Sequence, residues 1–215
     1  MHELKTSVLT DVEALRPWLP QWQALAVAGG QFFVSPTWLM PWWEAFGTAL
    51  RGQLAVIIVV EGDALVGLAP LYLRTSHVAL LEVTEVRLLG DAGPRPAGLD
   101  FLAAADKKDR VGALLALAMR QQLGDWDVID LAPLADPSPT RAQLLSRLAA
   151  AGLPIESSAA AGSAYRVALS LLDPNLAANN IAELSPAYTL RIEDNVDVIL
   201  RSIRALGRLS RLEWA

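Results

Sequence analysis

The chain has 215 residues, 53% hydrophobic and 19% charged, with a formal net charge of −5 and no cysteine. That length suits one domain, or one domain with an extra arm, and is enough to bury a sizeable core. The missing thiols exclude disulfides, thiolate-bound metal and a cysteine nucleophile, and the acidic balance argues against nucleic acid as a partner.

Met1-His2-Glu3-Leu4-Lys5 has neither the basic nor the apolar region of a secretory leader. The longest uncharged apolar run of the middle, residues 111–119, is too short to cross a bilayer. A cytoplasmic location is the expectation. In chain order, residues 4–9 read as a first strand. Asp11 is placed to cap a helix running to about Val27, with Leu15, Trp18, Trp22 and Leu25 at helical spacing and Pro17 and Pro20 interrupting it. Gly29-Gly30 ends that helix. Ser35-Pro36 opens the next, with Ser35 as cap and Pro36 in the first turn; it carries Trp38, Leu39, Trp42, Trp43 and Phe46 and stops at Gly47.

Residues 54–61 and 64–73 are two apolar runs around Gly62-Asp63, a hairpin, in which Pro70 marks an edge position or a bulge. Residues 83–89 form the next strand, and residues 90–98 an irregular loop with three glycines and two prolines. A short strand at 99–102, a helix at 106–123, a strand at 126–131 and a helix at 140–151 closed by Gly152 follow. Two late strands are expected at 155–157 and 165–169. The order β-α-α-β-β-β-α-β-α-β-β makes a mixed sheet covered on both faces. The final stretch changes character. A helix is expected over 195–212, with Ile199, Ile203, Leu206 and Leu209 on one side and Arg201, Arg204, Arg208 and Arg211 on the other.

One pattern stands out for chemistry. Arg87-Leu88-Leu89-Gly90-Asp91-Ala92 closes a strand with a glycine-bearing turn. Glycine lets backbone approach an anion, and successive N–H groups can face it. His2 and His77 are the only histidines, and no zinc set or other metal site can be assembled around them. There is no Gly-x-Ser-x-Gly elbow and no Gly-x-x-x-x-Gly-Lys phosphate loop.

The element order resembles that of the GNAT acyltransferases. The closer resemblance is to the CelD-type proteins, a bacterial branch tied to cellulose and exopolysaccharide production. It is carried by Phe33-Val34-Ser35-Pro36-Thr37-Trp38-Leu39, Trp42-Trp43-Glu44-Ala45-Phe46-Gly47 and Leu65-Val66-Gly67-Leu68-Ala69-Pro70-Leu71-Tyr72-Leu73-Arg74. Leu88-Leu89-Gly90, Leu99-Asp100-Phe101-Leu102 and Trp126-Asp127-Val128-Ile129-Asp130-Leu131 complete it. The resemblance implies an α/β (α+β) fold of GNAT type, a mixed and mostly antiparallel central sheet with helices on both faces. It covers about residues 5–170, so residues 1–170 are expected as the acyltransferase-like domain. Residues 171–215 are then a linker and a basic amphipathic helix, the start of a second half that such proteins usually have.

By the same resemblance, acetyl-CoA or another acyl-CoA is the co-substrate, with no metal, and the acceptor is an amine or a small-molecule or glycan-linked group. Arg87, Leu89, Gly90, Asp91 and Ala92 would hold the pyrophosphate, and Trp43 would line the acceptor pocket. An amine must lose a proton before it attacks a thioester, so a carboxylate is needed nearby. Glu44, Glu82, Glu85 and Asp100 are the candidates; Asp100 is preferred, then Glu85. Tyr72 and Tyr165 are the tyrosines placed to protonate the departing thiolate, with Tyr165 preferred. Against these stands a second expectation: a non-catalytic GNAT-like binding module, or the first half of a two-domain acyltransferase. It rests on the helix starting near Asp106 rather than at the glycine turn. No transmembrane segment is expected. A homodimer or partner contact is expected through the C-terminal helix.

Overall fold

The computed structural model describes residues 3–155, except 79–80, 93–97, 132–133 and 135–137. Tyr165, the strand expected at 165–169, the 170/171 boundary and the helix expected at 195–212 lie outside the described residues.

Two four-stranded sheets share one long hairpin. The first has the order β1–β3–β4–β7, with β1 at Leu4–Leu9, β3 at Val56–Glu61, β4 at Ala64–Ala69 and β7 at Leu102–Ala103, all pairs antiparallel. The second has the order β2–β5–β6–β8, with β2 at Gly52–Leu54, β5 at Leu71–Val78, β6 at Leu81–Leu88 and β8 at Val128–Asp130. Its β6–β8 pair is parallel and the rest antiparallel. This is the mixed, mostly antiparallel α+β architecture expected.

The expected strands at 54–61 and 64–73 each divide in two. Pro70 has no N–H to give to a ladder, so the strand changes sheet there instead of sitting on an edge. Its partner divides at Ala55, at the same level. Leu54 faces Tyr72 and Ile57 faces Ala69, so the register runs on unchanged across the break. Ala55 N–H donates to the Leu71 carbonyl at 3.0 Å, and Leu89 N–H to the Pro70 carbonyl at 2.8 Å. Those bonds stitch the two sheets together. Gly62 turns the hairpin with φ of 61°.

The first helical region is broken by its prolines, as read. Asp11 caps α1 (Val12–Leu15), accepting from Ala14 N–H at 2.7 Å. A 3₁₀ turn at Arg16–Trp18 leads into α2 (Leu19–Ala28). A second 3₁₀ turn, Phe32–Val34, precedes α3 (Pro36–Phe46). Ser35 occupies the cap position of α3, but its hydroxyl makes no capping bond and is buried without a partner. The cap expected there is positional only, and Pro36 sets the first turn. The short strand expected at 99–102 is reduced to β7 and a lone parallel bridge between Leu99 and Leu134. Helices α4 (Lys108–Gln121) and α5 (Pro139–Ala150) follow the expected pattern, with Ser138 accepting from Arg141 N–H at the start of α5.

Val56-Ile57-Ile58-Val59 is apolar throughout because β3 is covered on both faces. Ile57 and Val59 join a core with Val111, Leu115 and Met119 of α4 and Leu144 and Leu148 of α5. Val56 and Ile58 point the other way, into a core with Leu15, Trp22, Leu39 and Trp42. Trp22 is fully buried, and its indole N–H donates to the Val34 carbonyl at 2.8 Å. Gly67 lets α4 lie close on the sheet: a Cβ there would come within 2.4 Å of Val111 Cγ1. No described helix is long and apolar enough to cross a membrane.

Candidate functional site

Pairing in the second sheet sets a row of polar side chains across three strands. Tyr72 of β5 lies opposite Arg87 of β6, and Arg87 opposite Asp130 of β8. Residues directly opposite share a face, and so do residues two apart on one strand, which adds Glu85. Arg87 sits at the centre. Its Nε donates to Asp91 Oδ2 at 2.6 Å, and its Nη1 donates to Asp130 Oδ2 at 2.7 Å and Glu85 Oε2 at 3.0 Å. The Tyr72 hydroxyl donates to Asp91 Oδ1 at 2.8 Å. Ser76 Oγ donates to Glu85 Oε1 at 2.7 Å.

The electrostatics follow from that geometry. Burial works against the charge on Arg87, but Asp91, Glu85 and Asp130 outweigh it and raise its pKa. Burial, then the Asp91 charge, pushes the Tyr72 hydroxyl up from its ordinary value. Burial pushes Glu85 up, yet the bonds from Ser76 and Arg87 prevail and hold it below its ordinary value. Glu85 is therefore a tied carboxylate. A base that must pick up an amine's proton near neutrality works best with a pKa raised toward that range.

The expected pyrophosphate turn is part of this network. Asp91 is 1% exposed, with both carboxylate oxygens accepting from Arg87 and Tyr72. Leu89 N–H goes to the Pro70 carbonyl, and Asp91 N–H to the Leu88 carbonyl at 3.3 Å. The Ala92 carbonyl accepts the Trp42 indole N–H at 2.9 Å. Gly90 has φ of 93°, and a Cβ there would meet Leu39 and Leu99 side chains at 3.1 and 3.2 Å. The turn thus carries a buried carboxylate, has two of its N–H groups engaged and is packed by α3 and Leu99. In this arrangement its residues do not fit a pyrophosphate, because an anion would meet Asp91 and find Arg87 already surrounded.

Asp100 lies elsewhere, though its neighbour Leu99 packs near Gly90. It is 8% exposed. Oδ1 accepts from Phe101 N–H at 2.7 Å and Ser138 Oγ at 3.0 Å, and Oδ2 from Gln31 Nε2 at 3.4 Å. Burial raises its pKa, opposed by those first two bonds. The carboxylate ties the start of α5 to the segment before β7. His77 faces Glu82 at 3.9 Å on the exposed end of the β5–β6 hairpin.

Trp43 lies on α3, next to Tyr72. Its ring lies 6.0 Å from that of Tyr72, and it lines a surface groove of about 850 Å³ between α3 and the α1–α2 segment. Glu44, Met40 and Thr37 of α3 also line it. The structure therefore joins Glu85, Arg87 and Asp91 in one network, reaches Trp43 from there through Tyr72, and keeps Asp100 apart. Asp130 was missed by sequence reasoning. Its signal is the parallel register with Arg87, which no local pattern contains.

No protein-family model matches the chain, and no curated protein matches it. Among solved structures, it is similar to an integron cassette protein from the mobile metagenome of V. cholerae, with 13% identity and a TM-score of 0.38 over 84% of this chain and 98% of that one. It is also similar to a probable acetyltransferase, with 12% identity and a TM-score of 0.37 over 90% of this chain and 99% of that one. Both scores lie below one half, too low for either likeness to argue for a shared activity.

Proposed function

We propose that this chain serves acyl-CoA-dependent acyl transfer, as a GNAT-type, CelD-like domain acting on an amine or a sugar-linked acceptor; only that resemblance ties it to exopolysaccharide or cellulose production. The observation that carries the reading is topological. A mostly antiparallel sheet holds one parallel pair, β6–β8, with α4 in the connection between them. Acyl-CoA, when bound, supplies an activated thioester. The residues of this chain supply the acceptor side: an aromatic groove at Trp43, coupled through Tyr72 to the turn. Asp100, Glu85 and Tyr165 stay as proposals for proton handling.

A specific observation favours the second reading, a non-catalytic GNAT-like module. Arg87 binds Asp130 across the strand pair and Asp91 within the turn, which draws the ends of β6 and β8 together. Titration calorimetry with acetyl-CoA separates the two. Saturable heat with a Kd at or below about 1 mM supports the enzyme reading. A folded chain that takes up no acetyl-CoA at millimolar ligand overturns it and leaves the module.

A further inference from the structure

We propose that the Gly90 turn is an oxyanion site whose occupant is the chain's own Asp91 carboxylate, tethered there in place of a ligand. The site takes a free one-carbon carboxylate when that side chain is removed, and it is closed to a diphosphate while the side chain is present. The proposal is independent of the acyl-transfer reading, because it concerns this turn whatever binds elsewhere on the chain.

Three observations carry it. The first is that the donors are built without Asp91. Tyr72 and Arg87 face each other across the β5–β6 ladder, so strand pairing sets their spacing. The Tyr72 ring is fully buried and lies 5.9 Å from that of Trp42 and 6.0 Å from that of Trp43. The Arg87 guanidinium is held by Glu85 at 3.0 Å and Asp130 at 2.7 Å. Both donors therefore keep their places when the Asp91 carboxylate is gone. The second is that the turn is anchored on both sides of Asp91. Leu89 N–H donates to the Pro70 carbonyl, and the Ala92 carbonyl accepts the Trp42 indole N–H. The backbone thus holds its course with or without the carboxylate. The third is stoichiometry. Oδ1 accepts from the Tyr72 hydroxyl at 2.8 Å and Oδ2 from Arg87 Nε at 2.6 Å, so one carboxylate fills the site. Taking it away leaves two donors unpaired, and leaving a buried donor unpaired costs more than its bond contributed. A diphosphate is kept out by the bulk and charge of Asp91, and by Glu85 and Asp130 on the far side of Arg87.

The test is chemical rescue in the full chain, read as melting temperature by far-ultraviolet circular dichroism. Asp91→Ala removes one carboxylate, which formate matches in size and charge. Sodium formate at about 100 mM, about tenfold above a Kd of about 10 mM, is expected to raise the melting temperature of Asp91→Ala by about 3–5 °C over sodium chloride at equal ionic strength. The natural chain and Asp91→Asn, whose sites are filled, should melt at the same temperature in the two salts. Tyr72→Phe added to Asp91→Ala removes one donor and should cut the rescue by about half or more. If Asp91→Ala is unfolded in chloride, refolding from urea in formate supports the site, and failure to refold in both salts overturns it. No gain in Asp91→Ala, or an equal gain in all the variants, also overturns it. So does inorganic pyrophosphate that binds the natural chain in calorimetry and binds Asp91→Asn more tightly, since the turn would then admit a diphosphate past the side chain.

Discussion

At the scale of residues, the acids of this protein differ by what surrounds them. Asp91 is buried and satisfied by Arg87 and Tyr72. Removing one partner of such a pair strands a buried charge, while the intact pair adds little over a well-packed apolar substitute. Asp100 is buried, and burial outweighs the bonds from Phe101 N–H and Ser138 and the charges of Arg141 and Lys108, so its pKa in the folded chain lies above that of the unfolded chain. The sign follows from linkage. The folded state holds the proton more firmly, so this contribution to stability is complete below the unfolded value of about 4 and is lost as pH rises through the folded value. Asp100→Asn carries no charge but keeps an oxygen for Phe101 N–H and the Ser138 hydroxyl. Its melting temperature, relative to the natural chain, should therefore rise as pH goes from about 4 to about 8. A difference that stays flat across that range means the carboxylate is effectively solvated, and the account of Asp100 fails.

At the scale of elements, the hairpin and α4 carry the architecture. Pro70 and Ala55 divide a hairpin whose register does not change across that break, which lets one ribbon serve two sheets; its one shift lies nearer the turn, between Val59 and Val60. The seating of α4 on that ribbon depends on Gly67, where a Cβ would stand 2.4 Å from Val111 Cγ1. Gly67→Ala forces either the valine rotamer or the helix to move, at a cost of about 1–3 kcal/mol in urea unfolding. The same change made in a Val111→Ala background should cost less than half as much, because the clashing methyl is gone. Equal costs in the two backgrounds would place the strain elsewhere.

At the scale of the whole molecule, β3 joins the two cores. Its odd and even residues belong to different clusters, so neither core can come apart while the strand stays paired. Five of the seven tryptophans, Trp18, Trp22, Trp38, Trp42 and Trp43, lie in the α1–α3 layer. Tryptophan emission thus reports mainly on one side and far-ultraviolet circular dichroism on the whole. Leu115→Ala, at a fully buried position of the other core, is expected to cost about 2–5 kcal/mol. It should shift the urea midpoints of both probes together. Separate midpoints would mean two independently unfolding layers.

The sequence by itself determined most of the elements, because their signals are local. Asp11 as a cap, the prolines that break the first helix, Pro36 at the start of α3, the Gly62 turn and the amphipathic α4 and α5 all follow from spacing and from what each residue can do with its own backbone. Trp43 lines a groove while Trp42 is buried, because adjacent residues of a helix do not share a face. Tertiary structure alone decided that Pro70 marks a change of sheet, since that depends on a partner strand dividing at the same level. It also decided the state of the Gly90 turn. Arg87 and Asp91 are four residues apart, but their surroundings come from Tyr72, Asp130 and Leu99, brought in by strand pairing and packing. A six-residue pattern specifies a turn; whether that turn faces a ligand or its own protein is fixed by residues distant in the chain, through burial and charge that no local spacing encodes.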